Sequence, residues 1–225
     1  MNHLDQIPCT CEKPTHGCRL VVLTGGPGAG KTAVLEIIKR NFCRHIAVLP
    51  EAASIIFGGG FWRKETIPAR KAAQRAIFHV QRNLEQLAEE EGQSAVALCD
   101  RGTLDGLAYW PAPEERFWEE LQIQREREFA RYQAVIHLRS PSRENGYNHS
   151  NPVRIETASQ AALVDERIAR AWDGHPRRLF VESTTDFLEK ARNAVELIRK
   201  ELPPCCRTHP VDELAGQKPS SEESV

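Results

Sequence analysis

The chain has 225 residues with 30 basic and 31 acidic side chains and a formal net charge of −1, so it offers no polyanion-binding surface and nucleic acid is not an expected partner. Its length fits one α/β domain with a sizeable core. No apolar run approaches the roughly eighteen residues of a membrane span, and residues 1–6 lack the basic and apolar blocks of a signal peptide, which leads to the expectation of a cytoplasmic protein.

Residues 1–17 are polar and unpatterned and read as an irregular lead-in. The seven cysteines are an odd count and read as free thiols in a reducing compartment. Cys9, Cys11, His16 and Cys18 lie close together, with Cys205 and Cys206 near the other end. Their spacing, C-x-C-x₄-H-x-C, is not one of the usual structural zinc patterns. Thiols in flexible tails are the favoured reading, with a metal site as the alternative.

Arg19–Thr24 is a short apolar, β-branched run that predicts a buried strand. Directly after it, Gly25-Gly26-Pro27-Gly28-Ala29-Gly30-Lys31-Thr32 matches G-x-x-x-x-G-K-[ST], the phosphate-binding P-loop. Ala33, Leu35, Ile37, Ile38 and Phe42 then fall at the spacing of an amphipathic helix. Strand, glycine turn and helix are the context this motif needs. Glycines bring the backbone close to a phosphate, while the loop amides and the positive end of the helix surround its oxygens. Lys31 is placed to reach the β- and γ-phosphates and the Thr32 hydroxyl to ligate Mg²⁺. Residues 25–33 therefore form the expected cradle for a nucleoside triphosphate.

A second strand over 45–49 stops at Pro50, which puts Glu51 at its carboxyl end, where open α/β sheets bind ligands. The plain alternative for Glu51 is a carboxylate stabilising a helix N-terminus. A short helix from 51 is broken by Gly58-Gly59-Gly60. The aromatic and basic residues that follow suit either a substrate-side flap or a simple connection. A long helix over about 69–91 carries an apolar stripe of Ala69, Ala73, Ala76, Ile77, Val80, Leu84 and Leu87.

The third strand, 94–99, ends on Asp100-Arg101-Gly102. An acidic residue after an apolar strand is the Walker B pattern that holds Mg²⁺, and Arg101 is suited to grip an anion. An Asp–Arg surface turn is the competing reading. Short helices are expected over 103–110 and 114–121, and a charged helix over 122–131 reads as a solvated face. The fourth strand, 133–138, closes on Arg139, a possible contact for the nucleotide base. Residues 140–156 form a long aperiodic loop of the kind that serves as a lid. Thr157 and Gln160 make a capping box for a helix bearing Arg167 and Arg170. A fifth strand over 178–181 leads through Ser183-Thr184-Thr185 to a helix capped by Asp186. Pro203-Pro204 ends it, and the remainder to 225 reads as a polar, disordered tail.

Strands alternating with helices predict a doubly wound parallel sheet. The layout resembles the P-loop kinases of nucleosides and nucleotides. The phrases Leu49-Pro50-Glu51-Ala52-Ala53-Ser54, Cys99-Asp100-Arg101-Gly102-Thr103-Leu104-Asp105 and Asn151-Pro152-Val153-Arg154-Ile155-Glu156 are similar to those of the AAA-type ATPase and kinase-like family. That family includes the nicotinamide-riboside kinase domain of a bacterial NAD regulator and eukaryotic translocation-defect GTP-binding proteins. The resemblance spans about residues 18–200. It implies that Thr32 and Asp100 hold Mg²⁺, that Glu51 accepts a proton from an acceptor hydroxyl, and that Arg101 grips acceptor or γ-phosphate. Arg154, with Arg143, Arg167 or Arg170, is the implied cationic lid. ATP is the expected nucleotide with GTP as the alternative, since no guanine-reading N-K-x-D motif is present. A small-molecule kinase is thus the primary expectation, and a nucleotide-binding regulatory switch without an acceptor is the competing one. Homo-oligomerisation stays open.

Overall fold

The computed structural model describes residues 9, 11, 16–140, 158–184 and 186–211. Five strands form one sheet: β1 (Arg19–Thr24), β2 (Ile46–Leu49), β3 (Val96–Asp100), β4 (Tyr132–Leu138) and β5 (Arg178–Val181). All neighbours pair in parallel in the order β2-β3-β1-β4-β5. Parallel neighbours need crossovers, so each strand is followed by helix that covers a face of the sheet.

The side chains of β1 show how two layers arise from one strand. Val21 and Leu23 face one side, where α1 (Lys31–Asn41) and α7 (Phe187–Glu201) supply Val34, Leu35, Ile38, Ala194 and Ile198. Leu20 and Val22 face the other side. There α3 (Ile67–Glu91), α4 (Glu114–Leu121), α6 (Ala158–Ala171) and the segment just after α6 bring Phe78, Phe117, Ile168 and Trp172. The period-two alternation of a strand covered on both faces makes every one of its inner residues apolar. The remaining elements are α2 (Ala52–Gly58), a 3₁₀ helix over Thr103–Tyr109, and α5 (Arg125–Phe129).

Two expectations need correction. The charged stretch 122–131 is a solvated face only in part: Gln122, Gln124, Glu126 and Arg127 are exposed, whereas Glu128 and Arg131 turn inward. Only Arg125–Phe129 is helical, and Glu128 is buried, where it accepts from Thr103 Oγ1 at 2.9 Å and pairs with Arg82 and Arg131. Arg131 in turn pairs with the fully buried Glu85, which also accepts from Gln81 and the Tyr132 hydroxyl. The sign alternation reads as solvated because its partners come from α3, far away in sequence. The chain past Pro203 also does not leave the domain at once. A 3₁₀ turn over Pro204–Cys206 follows, and Cys206 and Val211 are buried in the same layer as α1 and α7. The capping residue Thr157 and most of the expected lid, 141–156, lie outside the described residues.

Candidate functional site

The carboxyl ends of β1, β2 and β3 lie side by side and bring their terminal residues together. The P-loop leaves β1 with Gly25 at φ 137°. A Cβ at that position would stand 2.0 Å from the Leu138 carbonyl oxygen, so the loop passes over the end of β4 only as glycine. Gly30, at φ 94°, starts α1 from the left-handed region. Thr32 and Ala33 are exposed in the first turn of α1, open to a ligand.

Lys31 is folded back into its own loop. Its Nζ donates to the carbonyls of Gly25 at 2.9 Å and Gly26 at 3.2 Å. Burial pushes the ammonium down to about 8, and repulsion from Arg101 adds to this against the attraction of Asp100, Asp105 and Glu51.

Arg101 takes φ 70°, a left-handed conformation unusual for a side chain of this size. Its N–H still extends the ladder by donating to Leu23 O at 3.1 Å. The turn sends the guanidinium back beneath the loop, where Nε donates to Glu51 Oε1 at 2.7 Å. Nη1 donates at 3.2 Å to both the Gly25 carbonyl and Asp105 Oδ2. Burial would raise the Glu51 carboxyl, yet Arg101 and the Ser54 hydroxyl outweigh it and hold the group below its ordinary value.

Asp100 differs. Burial raises its carboxyl, with Glu51 and Asp105 adding to the rise against Lys31 and Arg101. Its Oδ1 is buried with no hydrogen-bond partner among the described residues. A buried carboxylate oxygen without a donor is a costly arrangement, and a cation would satisfy it.

Two acids that the sequence reading did not single out as site residues hold this assembly in place. Asp105, on the 3₁₀ helix, accepts from Thr24 Oγ1 at 2.5 Å and from the Trp172 indole at 2.7 Å besides Arg101. Asp165, on α6, accepts from the Gly26 amide at 2.8 Å, lies 2.9 Å from His137 Nε2 and pairs with Arg139 at 3.3 Å. Burial alone would raise Asp165, but these partners hold it below the ordinary carboxylate range.

Beside the loop opens a cavity of about 450 Å³. Pro27 of the P-loop, Glu51, Arg101 and Asp105 stand at one side. Phe57, Ile77, Phe78, Gln74, Gln81, Arg63 and Tyr109 are among its other walls. The loop after Gly58 therefore contributes a wall residue, since Arg63 lies over the Phe57 ring at 4.6 Å and lines the cavity.

A family model described as an AAA domain matches residues 20–190. The chain belongs to the AAA domain family. A search of curated proteins finds no match. Among solved structures, thymidylate kinase from Candida albicans is similar, with a TM-score of 0.54 and 13% identity. The alignment covers 84% of this chain and 95% of that one. At that identity the likeness speaks for the fold, which is the P-loop, kinase-like α/β architecture.

Within this AAA domain, Lys31, Glu51, Asp100 and Arg101 come together as expected. Arg139 sits at the end of β4 with its guanidinium 4.6 Å above the Phe180 ring. Arg143 and Arg154 lie outside the described residues. Arg167 and Arg170 are exposed and line a separate, smaller hollow with Trp110 and Glu114, away from the P-loop cavity. Asp105 and Asp165 had a signal in the sequence. Asp165 shares the spacing of Ala161, Ile168 and Trp172, so it is an acid on an apolar helical stripe.

Proposed function

We propose that this chain is a Mg²⁺-dependent phosphotransferase that binds ATP at the P-loop and passes the γ-phosphoryl group to a hydroxyl of a nucleoside- or nucleotide-like acceptor. The observation that carries this reading is the cavity itself. It abuts the phosphate loop at Pro27 and has an ion-paired Glu51 and Arg101 at its edge. Its volume suits a small organic molecule, and Phe57, Ile77 and Phe78 offer apolar faces to a flat ring, with Gln74 and Gln81 for its polar edge. The structural neighbour carries the name of a nucleotide kinase, which supports the same reaction class.

Phosphoryl transfer asks mainly for positioning and charge neutralisation. Lys31 exchanges the carbonyls of Gly25 and Gly26 for the β- and γ-phosphates. The amides of residues 28–33, past Pro27, and the start of α1 hold the remaining oxygens. Thr32 and the unpartnered Asp100 oxygen fit Mg²⁺ and would hold it, and the ion supplies neutralisation of phosphate charge. Glu51, kept ionised by Arg101, accepts the acceptor's proton as the new O–P bond forms and the bond from the γ-phosphorus to the bridging oxygen breaks, releasing ADP. Arg101 stays beside the transferring group, Arg139 would contact the nucleotide base, and Arg154 would supply a further cation to the phosphates.

The test is mass-spectrometric product analysis with Mg-ATP and a panel of nucleosides, nucleotides and nicotinamide riboside. ADP that rises with one acceptor, with a product heavier by one phosphate, is the expected result. Slow ADP release that ignores every acceptor would move the assignment to a nucleotide-binding regulator.

A further inference from the structure

The cysteines left over by the P-loop chemistry converge at the opposite edge of the sheet. Cys43 follows α1 and His45 precedes β2, beside the point where Ile46 and Arg19 both register with Val96. This is the amino edge of the strands. Strands of this length at about 3.3 Å per residue put it roughly 15–20 Å from the P-loop. Cys206 arrives from the turn after α7, and Cys9 from the lead-in. Cys18, which the sequence places in the cluster, instead packs against the core on the other face of the sheet.

Cys206 Sγ lies 3.8 Å from Cys9 Sγ and 3.3 Å from Cys43 Sγ. The ligand atoms of Cys9, Cys43, Cys206 and His209 all lie within 4.8 Å of one another. Two thiolates about 2.3 Å from a tetrahedral zinc stand about 3.8 Å apart, so the spacing is that of ligands around one ion. Cys43 and Cys206 are each 1% exposed. His209 Nε2 is buried with no hydrogen-bond partner among the described residues, a vacancy in bonding that a metal would fill. His45 Nδ1 lies 3.3 Å from Cys43 Sγ and 3.1 Å from Cys206 Sγ, in the place of an N–H donor to ligating sulfur.

We propose that Cys9, Cys43, Cys206 and His209 bind one structural zinc ion, with His45 supporting the Cys43 and Cys206 thiolates. Cys₃His is an established structural zinc set. Its ligands here come from Cys9 of the lead-in, the turn after α1 and the segment after α7, so the ion ties these three segments to the base of the sheet. Three thiols give up their protons to solvent on binding, which makes the affinity fall in acid.

The test is metal analysis of the full chain purified under argon without added metal, followed by cobalt substitution. About one zinc per chain is expected for a closed tetrahedral site. The cobalt form should show tetrahedral visible bands with thiolate charge transfer in the near ultraviolet. Cys9→Ser and His209→Ala change segments outside the sheet and leave the domain folded. Each should weaken zinc by more than the roughly 10–100-fold that loss of an outer-shell partner costs, while Cys18→Ser leaves it unchanged. A chain that neither carries zinc nor competes for it against a chelator of micromolar affinity would overturn the proposal. A Cys43–Cys206 disulfide mapped in the same preparation would overturn it too. Zinc lost on Cys205→Ser but kept on Cys43→Ser would reject this ligand set in favour of Cys9, His45, Cys205 and Cys206.

Discussion

Arg101 donates from Nε to Glu51 Oε1 at 2.7 Å although the two are fifty residues apart in sequence. The bond joins the ends of β2 and β3, and the same guanidinium also holds the Gly25 carbonyl and Asp105. One side chain thus sets the relative position of phosphate loop and cavity edge.

Arg101→Met should therefore cost more than a surface ion pair. It strands the Glu51 and Asp105 carboxylates, whose side chains are 28% and 4% exposed. Breaking one partner out of such a group costs about 3 kcal/mol. A urea-unfolding comparison measures it directly, and an unchanged midpoint would show that the network contributes nothing to stability.

Glu51→Gln separates positioning from proton transfer. The amide keeps the shape and accepts from Arg101 through its carbonyl, so ATP affinity should hold. Acceptor-dependent ADP formation should fall at least about 100-fold, the smallest loss usual for a general base. Retained turnover in a steady-state assay would remove Glu51 from the chemistry.

Lys31 predicts proton uptake when ATP binds. With the ammonium pushed down to about 8, the free protein is partly deprotonated there. Phosphate charge favours the protonated form and draws a proton from the buffer. Calorimetry at pH 8 in buffers of different ionisation enthalpy should give a positive slope of binding enthalpy against that quantity. Lys31→Ala should abolish both tight binding and the slope.

Asp165 sets an acid limit to stability. Its carboxyl is held below the ordinary value of 3.8, so the unfolded chain binds the proton more readily. The stabilisation is complete above that ordinary value and is lost as pH falls through the lower folded one. Between pH values of about 5 and 3, spanning the unfolded aspartate range, Asp165→Asn should lose less of its urea midpoint than the parent does. Parallel acid limbs for the two proteins would count against the role.

The parts of the site that the sequence made legible are those carried by local pattern. Glu51, Asp100 and Arg101 each follow an apolar run, so a strand end announces them, and the P-loop carries its own spacing. Asp105, Asp165 and Glu85 are different. Each is an acid inside or beside a helix, where a charge ordinarily means solvent, and its partner comes from another element. Their position on apolar stripes was the available clue, as with Gln81 and Glu85 three and seven residues after Phe78. Cys9 and Cys206 stand out in the sequence by their clustering with other cysteines, but Cys43 and His209 had no such clue, because only the packing of α1 against α7 brings their segments to the others.

The 3.8 Å approach of Cys9 to Cys206 also brings two parts of the chain 197 residues apart side by side. They meet at the amino edge of the strands, while the P-loop and its cavity lie at the carboxyl edge. The same nearness makes the topology nearly a closed ring. A short linker across that point would let the polypeptide be reopened in the exposed 59–66 connection without altering the order of the strands.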